Sequence, residues 1–417
     1  MCNLGAYYDL PAATGILKEL YDGQLVENEV YKENPFFAMV PKKTNFFGKN
    51  RPVPLAYGVP QGRSSNFINA QANQSPIQYA EYLLTRKRDY VIATIDNETR
   101  EAAGNDKGAF VDAITDNVDK SIQAITMSLA SACFRAGTGS IGQVSTTVAV
   151  STGVITLQDP TSVVQFEVNM VLQANATDGG ASPRAALGYV ISVDRIAGTV
   201  TVASSGFGGA AASPAAWASS DFLLVQGDLN AKISGLPAWL LSTAPISTDN
   251  FYGVNRTADR WRLAGGYFNG ASEAIEEAVI DAAMLLGREG GTPNMAFTNF
   301  GSYAALEKSL GSKVQYTELK AQTADATIAF EGIRINGPKG VIVVMPDRNC
   351  PAATLYLLKM SSWTLHSLGE APKILRYEDN NEMLRVNNAD AMELRIGYYG
   401  NLACNAPGWS AQVTLSA

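Results

Sequence analysis

Any histidine chemistry in this chain would have to use His366, because no second histidine is present. It stands in the alternating run Trp363 to Leu368. A Ser-His-Asp or Cys-His site also needs a presented nucleophile. No G-x-S-x-G elbow precedes a helix, and no cysteine stands in an active-site context. His366 is therefore read as a satisfied structural residue of a strand. Gly137, Gly139 and Gly142 have the spacing G-x-G-x-x-G. A dinucleotide fingerprint follows a strand and opens a helix. Here the glycines follow a helical pattern and lead into strand-like sequence, so they are expected to end the helix and turn the chain. Glu276 with Glu277, and Glu378 with Asp379, are carboxylate pairs of the kind glycosidases use, but nothing places either pair across a substrate. Exposed charge explains both. Cys2, Cys133, Cys350 and Cys404 lie far apart without a C-x-x-C pair, which argues against a zinc site and a disulfide framework. With no H-E-x-x-H, P-loop or calcium-loop motif, the expectation is a chain that is not an enzyme and holds no cofactor or metal.

Composition bounds the alternatives. A length of 417 residues suggests two or three domains. Hydrophobic residues make up 46% and charged residues 17%, so either much surface is buried against copies of the chain or small residues cover it. A net charge of −7 argues against a dedicated nucleic-acid binder, because phosphate neutralisation needs clustered Lys and Arg. No run approaches the roughly 18 apolar residues of a membrane span. Asp9, Pro11 and Lys18 interrupt any signal-peptide core, and synthesis in a reducing cytosol is expected.

The elements that must position these residues centre on one long periodic stretch, Asp106 to Ala136. Phe110, Ile114, Val118, Ile122, Ile125, Leu129 and Cys133 recur every three or four positions, which puts one apolar stripe on a helix face. Asn105 and Asp106 offer N-cap chemistry, while Arg135 and Gly137 suit the other end. Such a helix is about 45 Å long. Before it, residues 1–47 read as an arm, with an amphipathic segment from Ile16 to Tyr31 and an apolar knot at Phe36, Phe37, Met39 and Val40. Residues 48–100 read as a long hairpin. Pro52 and Pro54 mark an edge-type strand; a polar excursion containing Phe67 and Ile68 follows, then a strand from Tyr79 to Ile95 with Tyr82, Leu84, Tyr90 and Ile92 on one face. So long an excursion implies a task, such as reaching a neighbouring subunit.

Residues 101–142 hold the long helix and its glycine turn. Residues 143–235 carry five β-rich runs, Val148 to Leu157, Val163 to Ala174, Leu187 to Val193, Gly198 to Ala203 and Phe222 to Gln226, which suggest a small barrel or sandwich. Residues 236–368 contain helices from Ser272, as the cap, to Arg288 and from Ser302 to Leu310. Strands follow at Thr327 to Asn336, Val341 to Met345 and Thr354 to Leu368. Residues 369–417 return through strands at Met383 to Val386, Met392 to Leu402 and Ser410 to Leu415. The class is α+β.

Residues 34–42 (NPFFAMVPK), the hairpin from Gly48 to Ile95, and residues 134–139 (FRAGTG) stand in that order ahead of residues 328–335 (IAFEGIRI), 340–347 (GVIVVMPD), 355–358 (LYLL), 399–404 (YGNLAC) and Pro407-Gly408. In that succession the chain resembles a major capsid protein of tailed bacteriophages with the Hong Kong 97 type fold. The resemblance covers nearly everything except residues 143–235. It implies an N-terminal arm, an E-loop hairpin, a P domain with a spine helix, a mainly A-domain region over 236–368, and a P-loop with return strands after 369. The β-rich block becomes an insertion domain. It implies self-assembly into pentamers and hexamers of an icosahedral head that encloses double-stranded DNA, contacted non-specifically, with no membrane. The expected partners are further copies, a separate scaffolding protein, a portal at one vertex and a decoration protein; the location is the virion, assembled in the host bacterial cytoplasm. Arg63, Phe67, Arg86, Lys87 and Arg88 are the expected inter-subunit contacts. Family members that weld subunits by isopeptide bonds use an E-loop lysine, and none lies between Arg51 and Arg86, so a non-covalent shell is expected. A cellular nanocompartment shell of the encapsulin type and a glycan-binding β-domain protein are the alternatives.

Overall fold

The computed structural model describes residues 34–98, 113–147, 152–311, 316–322, 327–376, 383–387 and 389–416. The amphipathic arm segment, the first turns of the expected long helix, and Glu378 with Asp379 lie outside the described residues. The chain divides into two units by its internal contacts, one built from residues 34–87, 130–366 and 401–417, the other including residues 88–129 and 367–400.

The first unit begins at α1 (Pro35–Met39), which opens on a proline whose missing N–H costs nothing at a helix start. Phe36 is fully buried, with its ring edge-on to Phe134 at 5.4 Å and to Phe297 at 5.3 Å. The apolar knot before Pro41 thus packs on its own unit. The chain then enters β1 (Lys42–Lys43), which pairs in parallel with β17 (Trp363–Ser367) and sets Lys43 beside His366. β2 (Asn50–Gly58) and β3 (Gln78–Thr85) form a two-stranded hairpin, with α2 (Phe67–Ala72) in its connection. The expected single strand from Tyr79 to Ile95 is in fact two. It breaks at Arg86, and β4 (Lys87–Asp96) joins a different sheet. Tyr82 and Leu84 are buried while Tyr90 and Ile92 are 45% and 56% exposed, so equal parity did not mean a shared face.

Between residues 140 and 225 a six-stranded sheet runs in the order β5 (Ser140–Gln143), β10 (Phe222–Val225), β7 (Val171–Asn175), β8 (Leu187–Asp194), β9 (Thr199–Ala203), β6 (Val154–Thr156). Its end strands meet through a bridge from Val144 to Leu157, where Ser145 N donates to Thr156 O at 2.8 Å and Gln158 N to Gln143 O at 2.9 Å. The sheet therefore closes on itself as a small barrel, around a core that includes Val144, Ile155, Phe166, Leu172, Val200 and Leu223. The start of the expected strand Val163 to Ala174 belongs instead to a 3-10 turn over Pro160–Gln165, because Asp159 caps it by accepting from Thr161 N and Pro160 preorganises its first position. Ser140–Gln143 supplies a strand that the glycine spacing concealed. Gly139 has φ +90, and a Cβ there would lie 2.2 Å from Asp228 O, so the close backbone approach requires glycine.

After the short helices α4 (Leu236–Trp239) and α5 (Arg260–Ala264), a seven-stranded mixed sheet forms. Its order is β11 (Gly266–Gly270), β21 (Ala411–Leu415), β16 (Thr354–Leu358), β12 (Met295–Thr298), β15 (Gly340–Pro346), β14 (Thr327–Gly337), β13 (Tyr316–Gln322). Helix α6 (Ile275–Arg288) lays Ile275, Ala278, Val279, Ala282 and Leu286 on this sheet, in one core with Val344, Leu357 and Val413. Helix α7 (Phe300–Leu310) adds Leu306 and is capped by Asn299, whose side chain accepts from Ser302 N at 2.8 Å. Ser272 does not cap α6; Ala274 holds that position without a side-chain bond. The run from Thr354 to Leu368 is divided into β16 and β17 by a turn over Met360–Ser362.

In the second unit β4, β18 (Lys373–Ile374) and β19 (Met383–Arg385) all pair with β20 (Ala391–Cys404). Helix α3 (Ala113–Cys133) carries the predicted stripe through the described residues, with Val118 and Ile122 half-buried and Ile125, Leu129 and Cys133 buried. Ser128 Oγ donates to Asp89 Oδ2 at 2.7 Å, fixing α3 against β4.

Candidate subunit interface

A two-stranded hairpin is marginal in water by itself, and this one is secured at its root. Tyr82 is fully buried, edge-on to Trp239 at 5.1 Å, and its hydroxyl donates to Leu263 O at 2.8 Å. Phe251 packs edge-on against Trp239 at 5.0 Å, and the Arg256 guanidinium lies 4.4 Å over the Phe251 ring. Arg256 is 5% exposed, so its charge needs partners. It donates from Nε to Asp249 Oδ2 at 2.8 Å, from Nη2 to Asp249 Oδ1 at 2.9 Å and from Nη1 to Ala238 O at 2.7 Å. The bonds from Arg256 hold the Asp249 carboxyl below its ordinary range. Asn401, with no exposed surface, accepts from Ser234 N at 3.0 Å and donates to Thr85 O at 2.9 Å. The end of β3 is thereby tied to β20. Sequence reasoning missed this root, since its members are spread from Tyr82 to Asn401 with no periodic signal.

The far end of the hairpin is ordered yet faces solvent. Gln61 N donates to Ser75 Oγ at 3.0 Å and Ser75 N returns a bond to Gln61 O at 3.1 Å, closing the loop. Gly62, at φ +130, lets the chain pass Gln74, whose Cα would be 3.1 Å from a Cβ there. Asn66 caps α2 by accepting from Ile68 N at 2.9 Å. No residue of α2 is buried. Phe67 and Ile68 stand 79% and 73% exposed, and Val59 and Tyr79 are exposed along the same hairpin. A closed loop that presents apolar side chains to water is a candidate contact surface.

The five residues expected at subunit contacts are not in one cluster. Arg63 and Phe67 stand exposed at the tip, and Arg63 has no hydrogen bond or ion pair among the described residues. Arg86 is half-buried at the root, donating from Nη1 to Phe46 O at 2.9 Å with its guanidinium 5.6 Å from the Phe46 ring centre. Lys87 donates to Asn230 O at 2.7 Å, and burial pulls its pKa down. Arg88 is exposed on β4.

The Glu276 carboxylate accepts from Ser309 Oγ at 2.7 Å. No group of three or more His, Cys, Asp or Glu suited to hold a metal occurs among the described residues. No helix among them is long and apolar enough to cross a membrane.

Residues 225–381 match the family model described as SU10 major capsid protein. The span runs from the last barrel strand through α6, α7 and much of the mixed sheet, and leaves out the hairpin. A chain of the cyanophage A-1(L) capsid asymmetric unit superposes with a TM-score of 0.54 at 12% identity, over 96% of this chain and 97% of that one. The fold is that of a phage capsid protein. It is the α+β, Hong Kong 97-like architecture that the sequence resembles. The holo-SrpI encapsulin complex from Synechococcus elongatus PCC 7942 is similar with a TM-score of 0.47 at 7% identity, covering 98% of this chain and 95% of that chain. Mycobacterium phage Bobi is similar at 0.46 and 10%, covering 99% and 100%. No curated protein sequence matches the chain.

In this capsid fold His366 is buried, as expected of a strand histidine, but it is not satisfied: Nδ1 has no hydrogen-bond partner among the described residues. Burial, and then the charges of Arg51 and Lys43, push its pKa down to about 4. Asp347 goes the other way. Burial lifts it to about 6, although Phe36 N donates to its Oδ2 at 3.3 Å and Asn349 N to its Oδ1 at 2.9 Å. The unfolded chain protonates histidine near 6.5, so the His366 contribution is intact above that pH and is lost as pH falls toward 4. Asp347 contributes its stability below about 4 and loses it as pH rises through 6. The two oppose each other between pH 4 and 6.5. Replacing His366→Gln therefore raises stability relative to the parent as pH drops from 7 to 4.5, by up to about 3 kcal/mol, in denaturant unfolding of unassembled subunits. A difference that does not change with pH contradicts this assignment.

Proposed function

We propose that the chain is the major capsid protein of a tailed phage, assembling through hexamers and pentamers into an icosahedral head around double-stranded DNA. The observation that carries this reading is an anchored hairpin with an apolar, solvent-facing tip, set in a capsid fold. Obligate interfaces bury about 2,000–5,000 Å², and apolar residues left without a core in one subunit supply part of that area in the shell. In this reading residues 1–47 are the arm, 48–100 the E-loop hairpin, 101–142 the spine helix of the P domain, and 143–235 an insertion domain. Residues 236–368 make up most of the A domain, and 369–417 are the P-loop and return strands. Arg63, Phe67, Arg86, Lys87 and Arg88 contribute to subunit contacts. A separate scaffolding protein guides assembly in the host bacterial cytoplasm, a portal occupies one vertex, and the outer surface of the shell is open to a decoration protein. The packaged DNA touches the acidic protein without sequence preference, and the chain performs no catalysis.

The double substitution Phe67→Ser with Ile68→Ser tests the tip. Both side chains are more than two-thirds exposed, so the melting temperature of the subunit should stay within about 2 °C of the parent, since exposed substitutions cost little. Shell formation, followed by velocity sedimentation, should be lost. Normal shells from this variant would remove the tip from the contact surface.

With no lysine between Arg51 and Arg86, the subunits are held without isopeptide bonds. Shells boiled in SDS should run as a single band at the 44.4 kDa of the chain; a ladder of multiples refutes non-covalent closure.

A further inference from the structure

Three separate parts of the chain meet at the turn that follows β15. The Asp347 carboxyl accepts from Phe36 N at 3.3 Å, across 311 positions of sequence, and from Asn349 N at 2.9 Å. The Asn349 amide nitrogen donates to Asn34 Oδ1 at 2.7 Å and to Asp347 Oδ1 at 3.2 Å, while the Asn349 oxygen accepts from Gln165 Nε2 at 3.0 Å. Asp347 N donates to Thr298 O at 2.8 Å, which fixes the turn to the end of β12. Asn34, Asp347 and Asn349 are 5%, 1% and 5% exposed. One buried turn thus holds α1 on one side and the 3-10 turn of the barrel on the other.

Helix α1 has no cap of its own. Asn34 stands at the capping position but makes no side-chain bond to the helix; its oxygen goes to Asn349, and the first-turn N–H of Phe36 is satisfied from Asp347. Helices shorter than about 12 residues do not hold themselves in water. The five residues of α1 therefore depend on this turn and on the Phe36 ring, seated between Phe134 and Phe297.

Asp347 forms no ion pair among the described residues. Arg348, beside it in sequence, favours the carboxylate, but burial opposes it more strongly. The other titratable groups facing it are Cys350 on the same turn and Cys133 at the end of α3, both kept as thiols by burial. Lys42 acts on Cys133, and Arg135 and Asp159 act on Cys350. The seated carboxyl accordingly stays protonated up to about 6, against about 3.9 when open to water.

We infer that the turn from Asp347 to Asn349 is a pH-sensitive latch on α1, which holds the helix while the carboxyl is protonated and frees it on ionisation, with the sheet and barrel still folded. A protonated carboxyl still accepts from Phe36 N through its carbonyl oxygen. An ionised one gains hydration when α1 lifts away, so opening becomes easier as pH rises from about 4 to about 6 and levels off above that. The latch stands whether or not the subunits close into a shell.

Hydrogen exchange of unassembled full-length subunits tests it, with each rate corrected for the intrinsic rate at that pH. The reporters are Phe36 N, Ala38 N and Val40 N, bonded to Asp347 Oδ2, Asn34 O and Phe36 O. From pH 5 to pH 7 their corrected exchange should accelerate about tenfold. Amides of α6, which exchange through opening of the whole unit, where His366 opposes Asp347, should not accelerate. Asp347→Asn, which keeps an acceptor but cannot ionise, should exchange slowly with no pH dependence. If that variant does not fold, Asn34→Ala leaves the carboxyl in place, and its reporters should exchange faster at every pH with the parent's slope retained. Parent reporters that are flat between pH 5 and pH 7, a slope that survives Asp347→Asn or vanishes in Asn34→Ala, or an equal acceleration in α6 overturns the latch.

Discussion

The knot at the hairpin root is the interaction on which the rest depends. Two strands with solvent on their outer face cannot hold themselves in place, and a tip carrying Phe67 and Ile68 would otherwise gain by folding back to hide them. Tyr82 prevents this by filling the space beside Trp239 while its hydroxyl is spoken for by Leu263 O. Arg256 and Asn401 make the arrangement discriminating rather than merely greasy, because each is buried and each would leave unsatisfied polar groups if the root shifted. A surface that must stay open to water is in this way fixed by groups that cannot tolerate it.

Anchoring at one end and exposure at the other divide the labour of the molecule. The mixed sheet with α6 and α7 and the small barrel each close their own core. The hairpin differs on both counts that matter for association, since its tip carries apolar side chains without a core and an Arg63 without an ion pair among the described residues. Each deficit is small beside a domain's stability, yet in the proposed shell both are met at every contact. Weak individual contacts of this kind suit assembly, since misplaced subunits can leave before the shell closes.

How much was legible in the residues follows from what kind of signal each part leaves. Helices with one apolar face were readable, as the buried Ile125, Leu129 and Cys133 of α3 and the Ile275 to Leu286 stripe of α6 attest, because a period near 3.6 survives any tertiary context. Short strands with both faces buried were not: β12 is buried at all four positions, and without alternation it resembles any apolar run. The break at Arg86 was invisible for a different reason. Alternation continues through it, and only the partner strand changes. Asn401, the Arg256 to Asp249 pair and the unpartnered Nδ1 of His366 depend on contacts between distant segments. Charge and bulk, the only marks the five proposed contact residues carry in sequence, cannot distinguish the open Arg63 from an Arg86 already bonded to Phe46 O.

Whether this chain builds shells is decided by electron microscopy of the purified protein, alone and with a co-expressed scaffolding protein. Closed icosahedral shells are expected, with rings of five and six subunits or curved sheets where closure is incomplete. A monodisperse small particle under every condition, confirmed by light scattering, would contradict it.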